Sequence, residues 1–223
     1  MFIVESKPKS ISAESYRTLR TNIQYSSFDK EIRTIVVTSS EPGEGKSTTA
    51  GNLALAFSQA EKKTIIIDCD LRKPSMHKNF RISNLIGLSD VIIGKEKIHE
   101  AVHQYNKNLS VLTSGKLPPN PSEMLGSRAM TSLLEILKES YDIIILDSAP
   151  LHAVTDAQIL STKADGTIIV VRAERTKKDS VLQAKALLDK VGGTILGVVL
   201  NGVENSRKKY YYYYGSEGKE GKE

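Results

Sequence analysis

Along the chain, short apolar runs alternate with longer stretches in which apolar residues recur at helical spacing. The short runs are Thr64-Ile65-Ile66-Ile67, Ile143 to Leu146, Ile168 to Val171 and Ile195 to Leu200. Runs of this length, apolar on both faces, suit strands buried inside a parallel sheet. The pattern predicts strands over Thr34–Thr38, Thr64–Asp68, Leu109–Thr113, Asp142–Asp147, Thr167–Val171 and Thr194–Leu200. Helices are predicted over Ala13–Tyr25, Lys46–Glu61, Met130–Ser140, Thr155–Ser161 and Ser180–Val191, with Ser10 and Ser12 as caps ahead of the first. Right-handed crossovers turn such strand–helix units into an α/β fold, a doubly wound and mostly parallel sheet with helices on both faces.

Two stretches break the alternation. Lys116–Ser122 carries Pro118, Pro119 and Pro121 and is expected to be a loop, because proline continues neither a helix nor an inner strand. After Leu200 little remains to bury, and Asn205 to Glu223 consists mainly of Lys, Tyr, Gly and Glu. The chain therefore divides into one domain, 1–204, and a tail, 205–223, expected to be flexible.

Composition narrows the class. The 223 residues are 39% hydrophobic and 26% charged, and no apolar run reaches the roughly 18 residues that a membrane-spanning helix needs. The N-terminus has no charged-then-apolar leader. One cysteine, Cys69, rules out an internal disulfide and any multi-Cys metal cage, and it reads as a small buried hydrophobe. The net charge of +5 is spread along the chain, which argues against a dedicated nucleic-acid face. Among the histidines only His99 and His103 have helical ligand spacing; they lie in a polar stretch without a third ligand and read as surface.

The strongest local signal is Ser39-Ser40-Glu41-Pro42-Gly43-Glu44-Gly45-Lys46-Ser47-Thr48, between a predicted strand and a predicted helix. Gly43 and Gly45 let the backbone turn, so that its N–H groups, including that of Glu44, point at phosphate oxygens. The helix beginning at Lys46 adds its positive end. Lys46 can reach the outer phosphates, Ser47 offers a hydroxyl to Mg²⁺, and Thr48 adds a further contact. Two strands end in acids, Asp68 with Asp70 and Asp147. Carboxyl ends of parallel strands face the ligand crevice, so these carboxylates should converge on a metal–phosphate group. Each acid taken alone also fits the start of a turn.

Two further features stand out. Tyr210, Tyr211, Tyr212, Tyr213 and Tyr214 are consecutive, preceded by Arg207-Lys208-Lys209. Such a run is an aggregation hazard or a phosphoacceptor cluster on a tether; each phosphate would add about −1.5 to −2 charges. In the first helix Glu14, Arg17 and Arg20 form a charged stripe opposite the apolar Tyr16, Leu19 and Ile23. On spacing alone that stripe is an ordinary solvated face.

Taken together, these features resemble the bacterial protein-tyrosine kinases of the P-loop type, the family associated with capsule and exopolysaccharide. The resemblance spans nearly the whole chain. It rests on Glu14/Arg17/Arg20, the loop Ser40–Thr48, the segment Ile66-Ile67-Asp68-Cys69-Asp70-Leu71-Arg72-Lys73-Pro74, and Gly115-Lys116-Leu117-Pro118-Pro119-Asn120-Pro121-Ser122-Glu123. It rests also on Asp147-Ser148-Ala149-Pro150 leading to Val154-Thr155-Asp156-Ala157, and on the tyrosine tail.

The resemblance implies a P-loop NTPase core using ATP and Mg²⁺. Lys46, Asp68, Asp70 and Asp147 would be catalytic, with Ser47, Asp70 and Asp147 at the metal and Asp68 orienting or deprotonating the incoming tyrosine. Asn201 lies where related ATPases hold the adenine; by itself it also suits a turn. The Glu14/Arg17/Arg20 helix would pack subunits into a ring, often an octamer, so that each tail is phosphorylated in trans. The family further implies other protein substrates, a transmembrane adaptor as activator, a tyrosine phosphatase as counterpart, and a cytoplasmic place at the inner face of the membrane. Cell-division and plasmid-partition ATPases share the core and give the alternative, a nucleotide switch without tyrosine phosphorylation. They carry a lysine early in the loop where this chain has Glu41, and Ser40 here replaces the usual Gly or Ala.

Overall fold

The computed structural model describes residues 2–26 and 31–203. Two helices come first, α1 (Ile3–Ser6) and α2 (Ile11–Gln24), followed by β1 (Thr34–Ser39), α3 (Lys46–Gln59) and β2 (Thr64–Asp68). Three short helices, α4 (Met76–Phe80), α5 (Leu88–Ile92) and α6 (Ile98–Ala101), lead to β3 (Val102–Asn106) and β4 (Leu109–Leu112). Then come α7 (Pro121–Gly126), α8 (Arg128–Ser140), β5 (Ile143–Asp147), α9 (Asp156–Ser161), β6 (Gly166–Arg172), α10 (Lys178–Asp189) and β7 (Ile195–Asn201). The strands form one sheet in the order β3-β4-β2-β5-β1-β6-β7. Every neighbouring pair is parallel except β3 with β4.

Every residue of β1, β2 and β5 is buried, which is why these strands read as unbroken apolar runs. Alternate residues feed opposite layers. Ile35, Val37, Ile66 and Ile145 pack with Leu53 and Phe57 of α3, whereas Val36, Ile65, Ile67 and Ile144 pack with Met130, Leu133 and Leu137 of α8. A third cluster joins Ile169 and Val171 of β6 to Ala184 and Leu188 of α10. The sheet is thus covered on both faces, as the alternation of elements predicts. Among the described residues no helix is long and apolar enough to cross a membrane.

Helix α2 starts where Ser10 Oγ accepts the Ala13 N–H at 3.2 Å. Its expected apolar face docks: Ile23 is buried, and Tyr16 and Leu19 pack against the core beside α3.

The structure adds the short helices α1, α4, α5 and α6 to the chain reading and changes it in two further places. Strand β3 was not expected; it pairs antiparallel with β4 at the sheet edge, where water reaches it, so His103 and Gln104 are tolerated and no apolar run announces it. The loop expected over Lys116–Ser122 ends at Asn120. Pro121 opens α7, because the first residue of a helix needs no N–H partner, so Pro121 and Ser122 are helical. The tail 205–223, with Tyr210 to Tyr214, lies outside the described residues.

Candidate active site

The loop between β1 and α3 has the conformation its glycines allow. Gly43 and Gly45 sit at φ +81° and +96°, a region that side chains rarely enter, and Gly45 caps α3. A Cβ on Gly45 would lie 1.9 Å from Asn201 Nδ2, so the position excludes a side chain on two grounds. Asn201, at the end of β7, donates from Nδ2 to the Glu44 carbonyl at 2.9 Å and accepts the Gly202 N–H at 2.9 Å. It therefore braces the loop from the end of the edge strand, two strands away from β1. Ser40 is fully buried, and its carbonyl accepts the His152 N–H at 3.2 Å.

Glu44 is also buried. One of its carboxylate oxygens accepts the Glu41 N–H at 3.0 Å, and the other accepts the Thr176 hydroxyl. Its side chain thus locks the loop closed. Thr48 is exposed on the first turn of α3.

The acids converge because β2 and β5 pair in register, setting Asp68 beside Asp147, while β5 also pairs with β1. Lys46 Nζ, at the start of α3, lies 3.0 Å from Asp70 Oδ2, 3.2 Å from Ser47 Oγ and 3.7 Å from Asp147 Oδ1. Burial would lower the Lys46 pKa, but the charges of Asp147 and Asp70 outweigh it and raise the value. Burial pushes Asp147 up to about 6 against the pull of Lys46. Burial, reinforced by the charge of Asp147, takes Asp68 to about 7. One ammonium among three carboxylates leaves the site with excess negative charge.

The donor set fits a hard divalent cation. Both Asp147 oxygens are buried without a hydrogen-bond partner; the adjacent Ser47 hydroxyl lowers the Asp147 pKa but makes no well-directed bond to it. Among the described residues no group of three or more His, Cys, Asp or Glu forms a complete cage. An incomplete set of this kind matches Mg²⁺, which takes one or two carboxylates and completes its shell with phosphates and water.

Asp68 is the most tightly held of the acids. Its Oδ2 accepts the N–H groups of Ser75 and Met76 at 2.9 and 2.8 Å, and its Oδ1 that of Asp70 at 3.3 Å. It thereby shapes the segment that follows β2, in which Asp70 Oδ1 accepts the Lys73 N–H at 3.0 Å. Cys69 between them is fully buried in the core, and burial holds its thiol well above the usual range.

The charged stripe of α2 is engaged within the chain. Arg17 pairs with Glu14 at 2.9 Å and donates to the Pro8 carbonyl at 2.8 Å, and Arg20 donates to the Ala56 carbonyl of α3 at 3.1 Å. Glu14 has a side chain 56% exposed and is the open end of the stripe.

Several residues at the site escape a reading of the chain. Thr176 and Arg175 come from the loop after β6, with Arg175 beside Gly43. His152 Nδ1 lies 2.9 Å from Glu41 Oε1, and Ser180 Oγ donates to the same oxygen at 3.2 Å. Asp156, fully buried, accepts Ser122 Oγ at 2.6 Å and pairs with Arg72 at 3.4 Å, tying three motif segments together. Thr176, Arg175, His152 and Ser180 carry no local signal, whereas Asp156 belongs to a motif of the family resemblance that does not name its partners.

A profile for the AAA domain family matches residues 32–194. The tyrosine-protein kinase YwqD of Bacillus subtilis is 44% identical over 215 residues, covering 96% of this chain and 91% of that protein. Among solved structures, the chimerical protein CapA2B2 superposes with a TM-score of 0.85 at 41% identity, covering 89% of this chain and 88% of that one. The kinase domain of the Escherichia coli tyrosine kinase ETK gives a TM-score of 0.88 at 32% identity, covering 91% and 80%. Sequence, sheet topology and phosphate loop agree, and the chain belongs to the bacterial protein-tyrosine kinase family, as an ATP-binding enzyme of P-loop type.

Proposed function

We propose that this chain transfers the terminal phosphoryl group of ATP–Mg²⁺ to protein tyrosines. Its acceptors include Tyr210 to Tyr214 of a second copy and other proteins, and the transfer regulates capsule or exopolysaccharide synthesis and export. The observation that carries this reading is the convergence of Lys46, Asp70 and Asp147 on the mouth of the phosphate loop, with Lys46 Nζ 3.0 Å from Asp70 and 3.7 Å from Asp147.

The backbone N–H groups of Gly43 to Lys46 bind the phosphates, with Thr48 as a further contact, and Asn201 holds the loop and borders the base. Lys46 exchanges its carboxylate partners for phosphate oxygens and stabilises charge on the transferred group. Ser47, Asp70 and Asp147 are the residues that would hold Mg²⁺, which when bound neutralises charge on the phosphates. Asp68 orients the incoming tyrosine hydroxyl and takes up its proton; a phenol with a pKa near 10 needs positioning more than a strong base.

In this reading copies assemble as a ring through Glu14, Arg17 and Arg20, so that each tail reaches a neighbour. A transmembrane adaptor holds the assembly at the inner face of the membrane and activates it, and a tyrosine phosphatase reverses the modification.

The test is incubation of the chain with ATP and Mg²⁺, with and without the adaptor's cytoplasmic peptide, followed by mass-spectrometric mapping of phosphotyrosine. Phosphate on Tyr210 to Tyr214, lost in Lys46→Ala, is the expected result. Changing all five tyrosines to Phe should remove most of the signal and spare nucleotide binding. Consumption of ATP without phosphotyrosine would instead assign the chain to the partition-type nucleotide switches.

A further inference from the structure

The loop between β6 and α10 is exposed in sequence character yet firmly braced. Thr176 Oγ1 donates to the buried Glu44 carboxylate and accepts the Arg172 N–H at 2.8 Å. The Thr176 N–H reaches the Arg172 carbonyl at 3.0 Å, and the Ala173 N–H reaches the Asn201 carbonyl at 2.8 Å. Glu174, at φ +62°, turns the chain between them. This bracing sets one guanidinium nitrogen of Arg175 3.6 Å from the point where a Cβ on Gly43 would stand, at the apex of the phosphate loop.

Arg175 and Lys177 line a cavity of about 510 Å³ together with Glu41, Pro42 and Ser180. The charges in this cavity are unequally satisfied. Glu41 is held by His152 and Ser180, and Glu44 by Thr176 and the Glu41 N–H. Among the described residues the side chains of Arg175 and Lys177 have no ion-pair partner, and both residues are exposed. Arg175 and Lys177 are therefore the charges of the cavity that have no close partner. None of Lys46, Ser47, Asp70 or Asp147 lines it, so it opens beside the metal groups, sharing Glu44 with the phosphate loop.

The acceptor cluster has a matching polarity in sequence. The first charged residue after Tyr214 is Glu217, followed by Glu220 and Glu223, whereas Arg207, Lys208 and Lys209 precede the cluster. Three extended residues span about 10 Å, so an acid just beyond an acceptor tyrosine can reach a neighbouring subsite.

We infer that Arg175, supported by Lys177, reads an acidic residue on the C-terminal side of the acceptor tyrosine. The enzyme then selects protein segments with an acidic C-terminal flank, and the occupant of the cavity is the acceptor segment of a second copy. The inference rests on the tyrosine-kinase reading above and adds a specificity-determining residue to it.

The test uses full-length chains. Donors carry Phe at positions 210–214, so they cannot accept phosphate there, and have either Arg175 or the substitution Arg175→Glu. Acceptors carry Lys46→Ala and either the native tail or Glu217, Glu220 and Glu223 changed to Lys. The Arg175→Glu donor should phosphorylate the native tail about tenfold more slowly and the Lys-bearing tail faster than the Arg175 donor does, with the KM for ATP unchanged. Equal loss on both tails, or a raised KM for ATP, overturns the inference and assigns Arg175 to the nucleotide.

A second arm measures anisotropy of a labelled peptide of residues 205–223, with Phe at the five tyrosine positions, bound to each donor. Weaker, salt-sensitive binding by the Arg175→Glu donor supports the inference, and equal binding by both donors overturns it. If the Arg175 donor makes no phosphotyrosine on either acceptor, the kinase reading fails and the peptide arm alone decides.

Discussion

The Asn201 side-chain amide fills the space that a Cβ on Gly45 would need, with Nδ2 1.9 Å from that point, and it donates to the neighbouring Glu44 carbonyl at 2.9 Å. The last strand of the sheet thus holds the phosphate loop in shape. Gly45→Ala should abolish nucleotide binding through both the collision and the φ of +96°. In the double variant Gly45→Ala/Asn201→Ala the collision is gone, but left-handed strain of about 1–2 kcal/mol remains, so binding should return only in part. Titration with a fluorescent ATP analogue checks both; undiminished binding by Gly45→Ala would sink the account.

The acids at the loop mouth should make the metal-free enzyme more stable at mildly acidic pH. Asp147 and Asp68 have folded pKa values raised to about 6 and about 7, each mainly by burial. A raised pKa means that the folded chain binds the proton more tightly than the unfolded chain. The associated stability is present below the ordinary value near 4 and is lost as pH rises through 6 and 7. In EDTA the Tm should therefore be higher at pH 5.5 than at pH 8. Asp147→Asn should flatten this dependence and raise the Tm at pH 8 by about 2–4 °C while removing kinase activity. A lower Tm for that variant at pH 8 would show that the Lys46 ion pair outweighs the burial of the acid.

Thr176 is a positioning residue, acting on the nucleotide through Glu44. Thr176→Val keeps the shape but removes the donor to a buried carboxylate and the acceptor for the Arg172 N–H, an expected loss of about 1–3 kcal/mol. The loosened loop should raise the KM for ATP about fivefold with a smaller change in kcat, and Thr176→Ser should restore it. An unaltered KM for ATP in Thr176→Val would remove the role.

What the chain made legible follows from how local each requirement is. The phosphate loop can be read because two glycines, a lysine and a hydroxyl residue must stand within a few positions of one another. Strands β1, β2 and β5 can be read because burial on both faces demands unbroken apolar runs. Thr176 could not be read, because the fold alone brings it to Glu44 across 132 residues; Asn201 is placed at the nucleotide only by the family resemblance, and its bond to Glu44 spans 157 residues. The convergence of Asp68 and Asp147 can be read because both end apolar parallel strands, whereas their side-by-side pairing is a matter of register between distant strands. Edge strand β3 was missed because water on its open side relaxes the apolar pattern. The helical start of α7 was missed because proline is acceptable at the first position and nowhere later.

The stripe on α2 can be separated into a folding part and an assembly part. Arg20 donates to the Ala56 carbonyl near the end of α3, the helix whose other end carries Lys46, so Arg20→Ala should disturb both the fold and the assembly. Glu14 makes one exposed i,i+3 pair with Arg17, worth about 0.2–0.5 kcal/mol, so its loss should barely move the Tm of the chain. If the stripe joins copies into a ring, Glu14→Ala must nonetheless lower the mass seen by light scattering at unchanged Tm. It must also slow tail phosphorylation in trans while leaving ATP binding intact, because Glu14 is not among the residues proposed to hold the nucleotide. A Glu14→Ala protein that keeps its mass and its rate would confine the stripe to holding α2 on α3.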